Sequence, residues 1–193
     1  MNRKSATLLL CLTACALAQK APERRVDRNT ITSASNPAVR LEVPAAARYR
    51  GAERWDLYGV ADCGLHVSVE ADERKVIGRP YWVRFEAFLP SKPESRYRYP
   101  FTQTTQLGGM EFDVRTRFGA TGGAPRPDSG GGHVEAMVKA AGYQLPRGTM
   151  NVRLVHPAAD LEAGGKDAAR WPELQRGLLE RVAARVQFGP LAK

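Results

Sequence analysis

A run of alternating arginine and tyrosine residues is the segment of the sequence with the clearest binding chemistry. Arg96, Tyr97, Arg98 and Tyr99 follow one another, and Lys92 precedes them. Cations interleaved with aromatic rings can hold phosphate groups and stack on the rings of bases or sugars. The run therefore predicts a binding surface, with the solvated face of a strand and loop as the alternative interpretation. A second segment carries further positive charge at Arg40, Arg48, Arg50 and Arg54.

The histidines and cysteines do not have the spacing of a metal site. His66, His133 and His156 are far apart, and the chain contains no H-x-H, H-x-x-x-H or C-x-x-C pattern,. The glycine-rich residues 119–132 match neither a phosphate loop nor a dinucleotide fingerprint,. We therefore predict no metal and no cofactor, and we interpret the histidines as surface or strand-edge residues.

Nucleophilic catalysis has Cys63 and His156 as its candidates. His66 follows Cys63 by three positions. Because side chains alternate along a strand, these two cannot face each other there. The sequence favours a small buried cysteine at position 63. The alternative is a small hydrolase-like enzyme whose site is assembled from distant residues.

The first 18 residues have the pattern of a secretory signal peptide. Arg3 and Lys4 precede an uncharged, leucine-rich segment, which is shorter than the about 20 apolar residues that span a bilayer. Signal peptidase would cut after Ala18, whereas a lipobox interpretation makes Cys15 the lipidated first residue of the mature chain. The length of the segment after the leucines favours Ala18. We predict a periplasmic or secreted protein without a transmembrane span, anchored by a lipid only if Cys15 is modified.

Composition and charge limit the class of protein. The chain has 193 residues, of which 43 % are apolar and 25 % are charged, and these values exclude a multi-span membrane protein, a coiled coil and a wholly disordered chain. The formal net charge is +9, which favours an anionic partner. Loss of residues 1–18 leaves Cys63 as the one thiol, so a disulfide-stapled scaffold is excluded.

The mature chain is predicted to begin with a flexible segment. Residues 19–37 are polar and combine Arg24, Arg25 and Arg28 with two acidic residues. They show no apolar period, which is typical of a flexible arm. We therefore predict a basic arm over residues 19–37 and a single folded domain over residues 38–193.

Apolar residues alternate with polar ones through most of residues 38–118. The pattern is clearest at 65–69, 81–89 and 110–118 and predicts strands with one buried and one solvated face. Helical periodicity appears at residues 134–141, where Gly142 is the expected end of the helix, and at residues 174–186,. Residues 158–166 have the composition of a loop,. The fold class predicted is α+β, with an antiparallel sheet of about five strands and two helices packed on one face.

Several segments resemble a group of exported bacterial proteins. They are YWVRFEAFLPS at 81–91, RLVH at 153–156, AARW at 168–171 and GLLER at 177–181. The resemblance implies export and a shared fold, and no activity comes with it. In that group a further apolar strand is expected after the segment matching RLVH. Here a proline and an Ala/Gly-rich loop follow, so the sheet is expected to be one strand short.

These observations predict an exported, non-enzymatic binding or accessory protein of the cell envelope. Its partner is expected to be an anionic envelope component or another protein, recognised through the Arg96–Tyr99 run and a sheet edge. An exported protein meets lipid headgroups and polysaccharides rather than nucleic acid, so nucleic acid is not expected as a partner. The hydrolase-like enzyme and a purely structural module of a larger complex are the alternatives.

Overall fold

The computed structural model describes residues 24–34, 37–95, 97–101, 103–118, 130–145, 150–155, 161–166 and 172–191. Two helices and twelve strands lie within these ranges. The strands are β1 (Arg24–Asp27), β2 (Thr30–Ser33), β3 (Val39–Glu42), β4 (Arg48–Leu57), β5 (Ala61–Ala71), β6 (Ile77–Phe88), β7 (Tyr97–Phe101), β8 (Gln103–Leu107), β9 (Met110–Phe118), β10 (Met150–Val155), β11 (Leu161–Lys166) and β12 (Gln187–Pro190). The helices are α1 (Gly130–Ala140) and α2 (Pro172–Ala183).

The described strands form four sheets. Their orders are β1-β2-β3-β12, β4-β5-β6, β8-β9-β10 and β7-β11. Pairing is antiparallel throughout except between β7 and β11, which run parallel. The mixture of two helices with mostly antiparallel sheets agrees with the predicted class.

The prediction of one sheet of about five strands with both helices on one face is wrong. The largest sheet has four strands. After β6 the chain turns through residues 89–95, and β7 pairs with β11 instead of continuing the β4-β5-β6 sheet. Helix α1 contacts β4, whereas α2 contacts β10. The helices therefore pack on different sheets.

Residues 24–33 correct part of the prediction of a flexible arm over residues 19–37, of which residues 19–23, 35 and 36 lie outside the described residues. Residues 24–33 form the β1–β2 hairpin, and β2 pairs in turn with β3. Ile31 is 2 % exposed and belongs to an apolar cluster that also contains Phe85 and Phe112. Val26 packs against that cluster. The folded part that the structure describes thus begins at Arg24, because this short hairpin buries apolar side chains that show no obvious period in the sequence.

The segment after β10 corrects a second prediction. Residues 158–166 were expected to be a loop that leaves the sheet one strand short. Residues 161–166 instead form β11, which pairs with β7 in the register Leu161 to Tyr97. Its sequence, LEAGGK, has no alternating apolar pattern, so local periodicity does not predict this strand.

Two apolar clusters lie on opposite faces of the β4-β5-β6 sheet, which we call the central sheet. On one face, residues of β5 pack against Val134 and Val138 of α1. On the other, Phe85 of β6 packs with residues of the four-stranded sheet and of β9, among them Ile31 and Phe112. Strand β5 is therefore buried from both sides.

The turn between β8 and β9 fits closely against the last strand. Gly108 and Gly109 both have positive φ, at 58° and 76°. A Cβ atom on Gly108 would lie 1.7 Å from the carbonyl oxygen of Phe188 in β12, whereas one on Gly109 would meet nothing within 4 Å. Position 108 therefore requires glycine both for its φ and for this contact.

Candidate functional site

The Arg96–Tyr99 run lies only partly within the described residues. Tyr97 begins β7, which pairs with β11. Arg96 lies outside the described residues, as do the side chains of Tyr97, Arg98 and Tyr99. The run therefore stays a predicted binding surface, now located at the start of a strand. Cys15, the predicted lipidation site, and residues 1–18 also lie outside the described residues.

Cys63 has the properties of a structural cysteine. Its side chain is fully buried in β5. Burial raises the pKa of the thiol to about 12, with the negative charge of Glu86 adding to the shift. Because the thiolate is the nucleophile, a thiol with this pKa is unreactive near neutral pH. This is unfavourable to the hydrolase-like alternative at Cys63; His156, its other candidate, lies outside the described residues.

The interpretation of His66 as a surface or strand-edge residue is wrong. His66 is 7 % exposed, because the face of β5 that carries it is covered instead of solvated. Its Nδ1 atom lies 3.1 Å from the hydroxyl oxygen of Tyr49. Burial lowers the pKa of His66, and the positive charge of Arg24 lowers it further.

His133 belongs to a second polar group on the opposite face. Its Nδ1 atom lies 2.8 Å from Oε1 of Glu53 in β4, and its ring stacks on Trp55 with the centroids 4.0 Å apart. The indole Nε1 of Trp55 is buried without a hydrogen-bond partner among the described residues. Across the described ranges, no group of three or more His, Cys, Asp or Glu side chains is arranged to hold a metal ion.

A cation–aromatic group that sequence reasoning missed forms around Tyr143. The guanidinium carbon of Arg50 lies 4.8 Å from the centre of the Tyr143 ring, and Nζ of Lys75 lies 5.8 Å from it. Both distances are within the range of cation–π attraction. We call Arg50, Lys75 and Tyr143 the basic–aromatic surface.

The end of α1 positions Tyr143. Gly142 has a φ of 78°, and its N–H donates to the carbonyl of Lys139. The N–H of Tyr143 donates to the carbonyl of Val138, five residues back. This is the Schellman arrangement, in which the residue after the glycine packs against the last helical turn. The predicted stop of α1 at Gly142 is thereby confirmed, and it fixes the backbone that carries the ring.

The turn between β5 and β6 positions Lys75. The carboxylate of Asp72 accepts hydrogen bonds from the N–H groups of Arg74 and Val76. Lys75 itself has a φ of 61°, a conformation that is uncommon outside glycine. The N–H of Gln144 donates to the Lys75 carbonyl, which ties the turn to the chain after α1. The hydrogen bonds of this turn hold Lys75 and Tyr143 together.

The cations of the basic–aromatic surface differ from neighbouring arginines in their ion pairing. Among the residues that the structure describes, neither Arg50 nor Lys75 forms an ion pair. In contrast, Arg40 pairs with Glu42 and Arg54 pairs with Asp62. Of the four arginines in the second basic segment, Arg48 and Arg50 thus form no ion pair with another described residue.

Two features of the basic–aromatic surface could be predicted from the sequence. It marked the charge at Arg50 and the helix stop that precedes Tyr143. It did not show that residues 50, 75 and 143 meet, because their contact depends on the pairing of β4 with β5 and on the chain after α1 bridging to Val76.

Comparison of the chain with protein-family models, with the curated proteins and with the solved structures found no match. A search of the described helices for one long and apolar enough to cross a bilayer also found none.

Proposed function

We propose that the protein is an exported binding protein that recognises a phosphate-bearing, anionic component of the cell envelope through the basic–aromatic surface. The single observation that carries the proposal is the pair of cations at 4.8 and 5.8 Å from one tyrosine ring, with no acidic partner among the described residues. The pattern of residues 1–18 supports export.

The geometry favours an anion over other ligands for electrostatic reasons. Arg50 and Lys75 carry like charges beside one ring and repel each other,. A negative group bound near both cations would relieve this repulsion. The negative face of the Tyr143 ring attracts both cations and so helps to fix their positions, but it does not neutralise their charge. The exposed Arg48 and Arg74 neighbour Arg50 and Lys75 in the chain and extend the positive field.

The test measures binding to vesicles of phosphatidylcholine prepared with and without phosphatidylglycerol. The chain is produced with its own residues 1–18, and the mass of the purified protein first establishes whether it begins at Gln19 or at a lipidated Cys15. Wild-type protein is expected to bind the anionic vesicles and to release them as salt is added. Loss of two cations in Arg50→Gln/Lys75→Gln is expected to weaken binding about thirtyfold, at about 1 kcal/mol for each charge.

The matched control removes the same charge elsewhere. Arg25 and Arg176 are both exposed, so Arg25→Gln/Arg176→Gln has the same net charge as the test variant. Equal weakening by the two double variants would show that net charge alone drives binding, and the basic–aromatic surface would lose its role. A third variant, Arg96→Ser/Arg98→Ser, tests the surface predicted from the sequence in the same assay.

Binding of free inorganic polyphosphate, but not of the vesicles, would keep the phosphate chemistry and exclude a lipid headgroup as its source. Absence of binding to both probes would overturn the proposal and leave a partner protein as the alternative.

A further inference from the structure

A buried polar group joins strand β1 to the central sheet at His66. The ring of His66 packs edge-on against Phe85, with the centroids 6.0 Å apart and the planes at 88°. Its Nδ1 atom meets the Tyr49 hydroxyl. Side chains of the two neighbouring strands therefore contact this imidazole, namely Tyr49 from β4 and Phe85 from β6.

Arg24, the first residue of β1, lies over the ring of the same phenylalanine. Its guanidinium carbon lies 4.2 Å from the centre of the Phe85 ring. The guanidinium also lies beside Gly64, where a Cβ atom would be in van der Waals contact with Nη1 at 3.6 Å. The Nε atom of Arg24 is buried without a hydrogen-bond partner among the described residues. Arg24 is thus held by its contact with Phe85 more than by hydrogen bonds.

The charges around His66 are unevenly distributed. Asp62 attracts Arg24 and Arg54 repels it. Arg54 also holds both carboxylate oxygens of Asp62, at 2.6 Å each. Asp62 is therefore occupied by Arg54 and is not free to neutralise a second charge beside Arg24.

Other titratable groups that face this side of the sheet lie further along the strands. Glu70 accepts hydrogen bonds from Tyr81 and Arg79, and Arg185, which follows α2, lies 3.8 Å from the same carboxylate. This carboxylate is engaged by two arginines and a tyrosine, so it is not available to compensate a charge on His66.

The geometry points to an acid-sensitive latch: protonation of His66 places a second cation beside Arg24 at Phe85 and releases β1 from the central sheet. Strand β1 is the element that can move, because it is the edge strand of its sheet and pairs only with β2 within the described residues. Strand β2 stays in place, because it pairs on both sides and Ile31 is buried.

The direction of the pH dependence follows from the protonation states. In the closed state burial and Arg24 lower the pKa of His66, whereas in the open state the imidazole regains a value near its ordinary pKa of about 6.5. The open state therefore binds more protons, and closure is complete above that value and weakens as the pH falls below it.

Hydrogen exchange at the backbone amides of residues 24–27 tests the latch in the full chain. Between about pH 7.5 and about pH 5.5, after correction for the intrinsic exchange rate, the wild-type opening constant is expected to rise by up to about tenfold. This range lies above the ordinary titration of aspartate and glutamate. In His66→Phe the change is expected to disappear, because the ring is kept and the titrating group is lost.

Two further variants keep the test decisive. His133→Gln removes the other described histidine and is expected to leave the pH response of β1 unchanged. Arg24→Met removes the repelling cation and is expected to raise the pKa of His66, measured from its imidazole resonances, whether or not His66→Phe folds. Equal protection of β1 at both pH values in wild type, or an unchanged pKa of His66 in Arg24→Met, would overturn the proposal.

Discussion

The two faces of strand β5 are both covered, but their side chains differ in chemistry. The face towards α1 consists of Leu65, Val67 and Val69, each at most 1 % exposed. The face towards the four-stranded sheet carries His66 and Ser68, which are also buried. A single strand therefore contributes to an apolar core on one side and to a polar layer on the other.

The difference shows that burial in this molecule does not depend on apolar residues alone. On the polar face Asp62 is bound by Arg54, His66 by Tyr49, and Glu70 by Tyr81. A buried polar group without a partner costs roughly 1–3 kcal/mol, a cost that the Tyr49 hydroxyl reduces at His66,. On the face towards α1 the side chains of β5 join one apolar cluster, whereas on the other face specific polar pairs lie beside the apolar cluster that contains Phe85.

The largest effect is expected from a cavity on the apolar face. Leu65→Ala removes a side chain that packs with Val134 and Val138 of α1. The free energy of unfolding, measured by urea denaturation, is expected to fall by about 2–5 kcal/mol, because the rigid sheet and helix cannot close the cavity.

The control for this substitution is Val76→Ala in the β5–β6 turn, where the side chain is 36 % exposed. Its effect is expected to stay within about 0.5 kcal/mol. A loss below about 1 kcal/mol in Leu65→Ala would contradict a tightly packed α1 interface.

An intermediate effect is expected on the polar face from Tyr81→Phe. The Tyr81 hydroxyl donates to Oε1 of Glu70 at 2.6 Å. Burial alone would raise the pKa of Glu70, but hydrogen bonds from Tyr81 and Arg79 and the charges of Arg79 and Arg185 lower it overall. Loss of a hydrogen bond to a charged group is expected to cost about 1.5 kcal/mol near neutral pH.

The pH dependence identifies the origin of that cost. Because the folded pKa of Glu70 is lowered, the stability that it contributes is complete above its unfolded value of about 4.3 and is lost as the pH falls through the folded value. The difference between wild type and Tyr81→Phe in unfolding free energy is therefore expected to shrink on acidification. A difference that stays constant to low pH would assign the cost to packing of the ring.

The same contrast explains which parts of the fold the sequence could predict. The apolar face was evident, because Leu65, Val67 and Val69 alternate with polar residues. That alternation also predicted that His66 and Ser68 face solvent. The prediction failed because the cover over them includes β1 and β2, four-residue strands too short to show a period. One unrecognised hairpin thus accounts both for the predicted flexible arm and for the misplaced histidine.

The candidate site likewise combines features that local sequence predicts with contacts that it does not predict. Local signals gave its parts, namely the charge at Arg50 and the end of α1 at Gly142. The meeting of Arg50, Lys75 and Tyr143 arises from strand pairing and from the chain that follows α1. Contacts between residues so far apart in the chain carry no local pattern, so tertiary structure was needed to bring them together.

The smallest effect is expected from Arg54→Gln, at the exposed border of the polar face. Its bidentate pair with Asp62 has side chains 59 % and 28 % exposed, and exposed pairs contribute about 0.2–1 kcal/mol. A double-mutant cycle with Asp62→Asn is expected to give a coupling energy in that range, which decreases in high salt. In the single variant Arg54→Gln, Asp62 loses this partner and can face Arg24, so the acid response of β1 is expected to weaken. A coupling energy well above about 1 kcal/mol that persists in high salt would contradict the distinction between border and interior, and would place Asp62 within the buried layer.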